Sequence, residues 1–322
     1  MRVLVTGVSG FVGGALGSYM RADAGHRVVG LSRRAPCAGA ADEFHAVDLA
    51  ATIPDDLGRF DVVVHAAALA SPFARPAVFQ RNNVEATANI LEFARRTRVP
   101  HFVFISSGSV FYAPGDQLGI TETTPLPATP INAYAASKRE AEALVNSSGL
   151  HALILRPRAV YGVGDTVLFP RILRASRAGV LPRFTRSDGS RAVGDLISID
   201  NLVRFIAAAI EQRVAGDFNV TDGQPVDIYD FLETVLHKLG LSAPRWTIPA
   251  ALAMSIAGIM ETASSTILGW REPPLTRFGV TVLSQSKTFD ISRARRVLGE
   301  PAVAASDVID RYVVWQKAQW QR

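Results

Sequence analysis

The stretch RVLVTGVSGFVGGAL, residues 2–16, sets a β-branched apolar run against a glycine-rich turn and the start of a helix. The run from Arg2 to Thr6 does not alternate polar and apolar residues, as expected of a strand buried on both faces. Gly7, Gly10 and Gly13 follow at the spacing Gly-x-x-Gly-x-x-Gly, with Phe11 and Val12 between the last two. Glycines placed this way allow a tight turn and let the backbone approach a pyrophosphate, which then rests on the positive end of the next helix. A nucleotide-binding turn is therefore expected here.

Working outward, the same kind of run recurs at 27–31, 61–65, 101–106 and 152–155, with helix-length segments between, such as 78–98. Strands alternating with helices predict an α/β fold built on a doubly wound parallel sheet. Residues 1–155 are expected to form the dinucleotide-binding domain. Residues 156–322, punctuated by Pro170, Pro182, Pro225, Pro244 and Pro249, are expected to form mainly a smaller substrate-binding subdomain, with some segments returning to the sheet. No internal repeat or low-complexity tract interrupts this plan.

Composition excludes several classes. With 48% hydrophobic and 20% charged residues over 322 positions, the chain has enough apolar side chains for a large core and is not disordered. Its one cysteine, Cys37, excludes an internal disulfide framework and a cysteine-rich zinc site, and points to a reducing, cytoplasmic setting. The net charge of +5 comes from arginines scattered in ones, twos and threes, so no nucleic-acid partner is expected. The opening apolar run is too brief for a signal peptide. The longest one, Ile248 to Met260, falls short of the roughly 20 residues of a membrane span. The six histidines show no ligand spacing, so no metal is expected, and His65 reads as a core or cofactor-flanking residue.

Two further stretches carry chemistry. At the end of the second strand, where an acid would bind the adenosine ribose of NAD, the chain has Ser32 followed by Arg33 and Arg34. Arginine there accommodates a 2′-phosphate, which favours NADP(H) and leaves NAD(H) open. Tyr134 and Lys138, in YAASK, stand four apart on a predicted helix over 135–145, on one face. A phenol ordinarily titrates near 10, so a neighbouring ammonium is expected to favour its ionised form for proton exchange.

TGVSGFVG, with YAASK and the serine-rich strand end Ser106-Ser107-Gly108-Ser109, resembles the extended short-chain dehydrogenases/reductases, a Rossmann-type family. The likeness covers essentially the whole chain. It implies that Ser107 steadies the substrate oxygen, Tyr134 exchanges its proton and Lys138 also holds the nicotinamide ribose. Ser109 would line the substrate pocket. It further implies cofactor contacts from Asp48, Leu49, Ala66, Ala67, Ala68, Asn83, Pro157 and Val160, and a homodimer formed through the Tyr134 helix.

Departures narrow the branch. Sugar dehydratases of this superfamily carry an Asp-Glu pair where this chain has Gly108-Ser109, so dehydration is not expected. Nucleotide-sugar epimerases carry an arginine where Gly194 stands, and an aspartate where Asn201 stands. The segments LRPRAVYGVGD (155–165), DLISIDNLV (195–203) and 273–301 are similar to the 3β-hydroxysteroid dehydrogenase/isomerase branch, including reductases of β-keto acids. The expected partner is thus a small-molecule ketone or alcohol on an apolar, steroid-like or β-keto acid-like frame. A nucleotide-sugar 4-epimerase with tightly held NAD, and a non-catalytic NADP sensor, are the alternatives. Arg183, Arg186 and Arg191 are read either as anion-binding or as solvated. The apolar segment RWTIPAALAMSIAGIMETASSTILGW (245–270) is read as substrate lid, core or membrane-surface contact.

Overall fold

Each continuous apolar run becomes a strand of one parallel sheet, because a helix layer covers both of its faces. The computed structural model describes residues 1–321. Strands β1 (Arg2–Thr6), β2 (Arg27–Ser32), β3 (Glu43–Ala46), β4 (Val62–His65), β5 (Phe102–Ile105), β6 (Ala152–Pro157) and β7 (Gly216–Val220) lie in the order β7-β6-β5-β4-β1-β2-β3. All neighbours pair in parallel. Alternate residues of one strand serve opposite layers. Val3 and Val5 pack with Leu16, Leu202 and Ile206 on one face, whereas Leu4 packs with Ile90, Ala94 and Val145 on the other.

The helices supplying these layers are α1 (Phe11–Ala22), α2 (Ala86–Arg96), α3 (Ala133–Ser147) and α4 (Ile199–Glu211). The chain builds β1 to β3 in one direction and β4 to β7 in the other, so the strand order reverses between β1 and β4. In such sheets the ligand crevice opens at the carboxyl ends of the strands at this switch point. The Gly7 turn, the residues after His65 and the Ser107 segment all sit at those ends.

The remaining strands are short. Val226–Asp227, Val193–Gly194, Lys287–Phe289 and Gln117–Ile120 form a four-stranded sheet, Val160–Tyr161 pairs with Ile197–Ser198, and Pro182–Thr185 with Trp246–Pro249. Two helices, α5 (Ala250–Thr266) and α6 (Arg277–Ser284), pack beside the last of these pairs. The second half has its own aromatic core, in which Phe169 stacks on Tyr312 at 4.5 Å and Tyr161 meets Phe231 edge-on at 5.3 Å. The halves are interleaved: Gln117–Ile120 leaves the first for the small sheet, and β7 returns from the second to the edge of the large one.

Candidate active site

The glycine turn has the geometry its spacing predicted. Gly7 has φ 71°, and a Cβ there would come within 2.7 Å of the Ala67 Cα, so only glycine lets β1 turn against the chain leaving β4. A Cβ on Gly13 would collide with the Gly7 carbonyl. Gly7 O accepts from Gly10 N at 2.8 Å, and Gly10, in extended conformation, starts α1 without a side-chain cap. The first-turn amides, around Phe11 and Val12, are thus left to an outside acceptor, the cradle that a pyrophosphate fits.

At the end of β2, Ser32 is buried and its Oγ donates to Arg34 O at 2.7 Å, which holds the turn that sets Arg33 and Arg34 out in solvent. Asp48 accepts from Arg81 Nη2 at 2.6 Å and from Ala50 N at 3.1 Å. Arg81, with a smaller contribution from Arg33, holds its carboxyl below the usual range. Leu49 is buried beside it, and its carbonyl is held by Asn89 Nδ2 at 2.9 Å.

A chain of hydrogen bonds joins this turn to the Tyr134 helix. Thr6 Oγ1 lies 2.7 Å from His65 Nδ1, His65 Nε2 lies 3.0 Å from Thr87 Oγ1, and Thr87 Oγ1 donates to Asn83 O at 2.5 Å. Asn83 Nδ2 donates to Ser137 Oγ at 2.8 Å, and Ser137 Oγ donates to Tyr134 O at 2.8 Å. Because Thr87 spends its proton on Asn83 O, it accepts from His65, which places the imidazole proton on Nε2 and leaves Nδ1 to accept from Thr6. Full burial of His65, with the nearby Lys138 ammonium, pushes its pKa down to about 3 and keeps it neutral. Asn83 sits in a π-helical turn, Gln80–Glu85, that precedes α2. The widened turn carries it far enough inward for Oδ1 to accept from Leu69 N at 2.7 Å. Ala66, Ala67 and Ala68 run between these anchors, Ala67 N donating to Thr6 Oγ1 at 3.2 Å.

Ser107, Tyr134 and Lys138 converge at the end of β5. Ser107 caps a short helical turn, its Oγ accepting from Ser109 N at 3.2 Å and standing 2.9 Å from Ser109 Oγ. Asn132 caps α3 through Ala135 N at 2.8 Å, which starts the helix two residues before the predicted start and puts Tyr134 in its first turn. Burial pushes the Tyr134 phenol up to about 12, opposed by a hydrogen bond with Ser107. The expected lowering by the ammonium is not what this geometry gives. Lys138 is itself buried and pushed down to about 7, and its Nζ donates to Ile105 O at 2.7 Å over the face of Phe104.

Behind Lys138, one turn on, lies Glu142, which the spacing YAASKREAE contains and sequence reasoning passed over. It accepts from Ser106 Oγ and from both Arg156 Nε and Nη2, at 2.9 and 2.7 Å, and all three residues are buried. Pro157 ends β6, and Val160 begins the next strand after Ala159, whose φ of 46° bends the backbone between them.

The arginines from the second half are committed elsewhere. Arg183 pairs with Glu233 and lies 4.8 Å over the Tyr229 ring, Arg186 grips Asp116, and Arg191 pairs with Asp227 and Asp230. Each thus already has a carboxylate partner in this chain, Arg183 and Arg186 half-buried and Arg191 exposed. Gly108 lies under Phe289, whose ring a Cβ would approach to 2.8 Å, so a dehydratase's acid has no room there. Gly194 faces Arg158, whose Nη2 would lie 2.8 Å from a Cβ there. No group of metal-binding side chains occurs among the described residues.

A dinucleotide cradle at a topological switch point, facing serine, tyrosine and lysine side chains, defines an NAD(P)-dependent oxidoreductase of the extended short-chain dehydrogenase/reductase type. The chain belongs to the NAD dependent epimerase/dehydratase family, whose model matches residues 3–221. It is 32% identical over 309 residues to the 4-hydroxy-2-methyl-3-oxo-4-farnesyl-3,4-dihydroquinoline-1-oxide ketoreductase of Stigmatella aurantiaca, covering 93% of this chain and 91% of the relative. It is also 32% identical over 271 residues to the 3beta-hydroxysteroid-dehydrogenase/decarboxylase isoform 1 of Arabidopsis thaliana, covering 79% and 61% respectively. The 2-alkyl-3-oxoalkanoate reductase of Shewanella oneidensis is 29% identical, covering 94% and 82%. The UDP-glucuronic acid 4-epimerase of Bacillus cereus, solved with NAD, has the same fold, with a TM-score of 0.75 at 22% identity over 99% of this chain and 100% of that one. Among the described residues no helix is long and apolar enough to cross a membrane.

Proposed function

We propose that this enzyme reduces a ketone on an apolar frame to a secondary alcohol, preferring NADP(H), with Ser107, Tyr134 and Lys138 as its catalytic residues. The observation that carries the reading is the placement of the Ser107–Tyr134 hydroxyl pair and Lys138 at the sheet edge that also holds the glycine cradle. The substrate class draws on the relatives named above, which act on a farnesylated quinoline, a hydroxysteroid and an oxoalkanoate.

The cofactor, when bound, supplies the hydride. The amides around Gly10, Phe11, Val12 and Gly13 would hold its pyrophosphate, Asp48 and Leu49 its adenine end, and Pro157 and Val160 its nicotinamide end. Arg33 and Arg34 would hold the 2′-phosphate. With its phenol pushed up to about 12, Tyr134 is protonated at neutral pH, so it would deliver a proton to the developing alkoxide when the ketone is reduced and take it back in the reverse direction. Ser107 donates to the same oxygen, and Lys138 holds the ribose while its own backbone bond fixes it in place. Glycine at 194, where an epimerase carries its diphosphate-gripping arginine, speaks against that function. The same reading makes the enzyme a cytoplasmic homodimer through α3, which sedimentation of the pure protein tests.

The primary test is spectrophotometric: NADPH and NADH oxidation against ketosteroids, β-keto acids, aryl ketones and sugar nucleotides. Tyr134→Phe should lose about 10²- to 10⁴-fold in turnover while still binding NADPH; retained turnover sinks the assignment. Arg33→Ala with Arg34→Ala should raise KM for NADPH by roughly tenfold or more and leave that for NADH nearly unchanged. An unaltered ratio of the two would remove the NADP(H) preference.

A further inference from the structure

Helix α5 is packed the wrong way round for a protein that meets only water. Its fully buried residues are all small, Ala253, Ala257 and Ser264, with Met254 half-buried beside them. Its outward face carries the large ones, with Leu252 53% exposed and Ile259 70% exposed, and the stripe runs on into Ile267 at 81%. A helix docked for core packing places these residues the other way. The only charged side chain within α5, Glu261, is turned aside to pair with Arg277 at 2.7 Å, so the exposed stripe is uncharged along its length.

Both ends are basic and aromatic. Arg245 and the exposed Trp246 precede the helix, and Trp270 and Arg271 follow it. Among the described residues neither Arg245 nor Arg271 has a carboxylate partner; the neighbouring Glu272 is already held by Arg171 at 2.6 and 2.9 Å. We propose that this face of α5 docks the enzyme on an anionic phospholipid bilayer, the helix lying in the plane of the interface with Arg245 and Arg271 against lipid phosphates. An apolar stripe with tryptophan and arginine at its margins is the pattern that settles at the headgroup boundary. A second copy of the chain fits worse. Antiparallel pairing of two such helices along their length brings Arg245 of one against Arg271 of the other, and parallel pairing brings like against like, so both aligned arrangements set cations together.

The position of α5 gives the docking a use, which rests on the function proposed above. Trp270 stacks on Phe73 at 5.4 Å, in the loop beyond Ala68, and Phe278 of α6 stacks on Tyr112 at 6.3 Å, three residues beyond Ser109. The segment that follows α5, and the neighbouring α6, therefore lie against segments close in sequence to site residues, which would give an apolar ketone dissolved in lipid a short way in.

The test sediments the full chain with vesicles of phosphatidylcholine alone and of phosphatidylcholine with phosphatidylglycerol. Binding is expected to the anionic vesicles, weakened by salt, and reduced about tenfold or more by Ile259→Glu, a surface change that leaves the circular dichroism spectrum intact. Reduction of a water-soluble ketone should be equal in the wild type and Ile259→Glu, whereas reduction of a vesicle-borne ketone should fall with binding. No binding to either vesicle, or equal binding by the variant, overturns the proposal. So does a dimer in solution that Ile259→Glu splits, without any vesicle binding, since a second copy then covers the face. If vesicles bind but no ketone is reduced, the docking stands and the proposed function fails.

Discussion

His65 is a histidine at the end of a buried strand with both ring nitrogens spoken for, and its neutrality has a cost that depends on pH. In the unfolded chain it takes up a proton below its ordinary value of 6.5; in the folded enzyme it does so only near 3. Its contribution to stability is therefore complete above 6.5 and is lost as pH falls through that window, at roughly 1.4 kcal/mol per pH unit. Urea unfolding between pH 7 and pH 4.5 should show this slope, and His65→Gln should reduce it by about 1 kcal/mol per unit while lowering stability at pH 7. A slope the substitution leaves alone would mean that the imidazole is not held neutral. The sequence marked His65 as a core or flanking residue because it ends a continuous apolar strand. It did not reveal the partners Thr6 and Thr87, which lie 59 and 22 positions away and meet only once the sheet has formed.

Helix α3 carries Tyr134, Lys138 and Glu142 at intervals of four, and the last anchors the other two. Glu142 joins the helix to β6 through Arg156 and to the end of β5 through Ser106, next to Ser107. The pair is buried, with side chains about 5% exposed, so removing one partner strands a charge away from water. Arg156→Leu should cost roughly 3–5 kcal/mol in urea unfolding, and adding Glu142→Leu should recover most of the loss. A neutral single substitution would show that the helix is held by its apolar face alone. The tyrosine–lysine spacing was legible because its chemistry is local to one helix. Glu142 stood at the next interval, but its meaning lies in Arg156, on a strand whose apolar run gives no sign of a buried cation. The π turn under Asn83 was illegible for a similar reason: QRNNVE has no feature that widens a helix, and the turn is set by the bonds to Leu69 and Ser137.

At the scale of the whole molecule, the large sheet was readable and the small ones were not. Strands β1, β2, β4, β5 and β6 announce themselves because both of their faces are covered, which demands unbroken apolar runs. Strand β3, Glu43–Ala46, lies at the edge with its residues half in solvent and gives no such pattern. The strand Lys287–Phe289 opens on a lysine that is fully buried, its ammonium donating to Ala113 O, Gly115 O and Gln117 Oε1, each at 2.6 Å. Only the neighbouring loop makes that residue acceptable inside. The second half likewise returns to the large sheet through β7, an edge strand whose sequence GDFNV is too mixed to be read as part of a parallel sheet.

The interleaving of the halves bears on how the polypeptide can be divided. β7 closes one edge of the large sheet by pairing with β6 from Leu153 to Pro157, and its Asp217 adds a second carboxylate to Arg156 at 2.7 Å. A fragment ending near residue 155 would carry the whole nucleotide cradle yet leave β6 as a bare apolar edge and Glu142 without its arginine. Such an edge recruits other chains. The dinucleotide half is thus a region of the enzyme and not a module that can be transplanted, and autonomy belongs to the chain only when residues 216–220 are included.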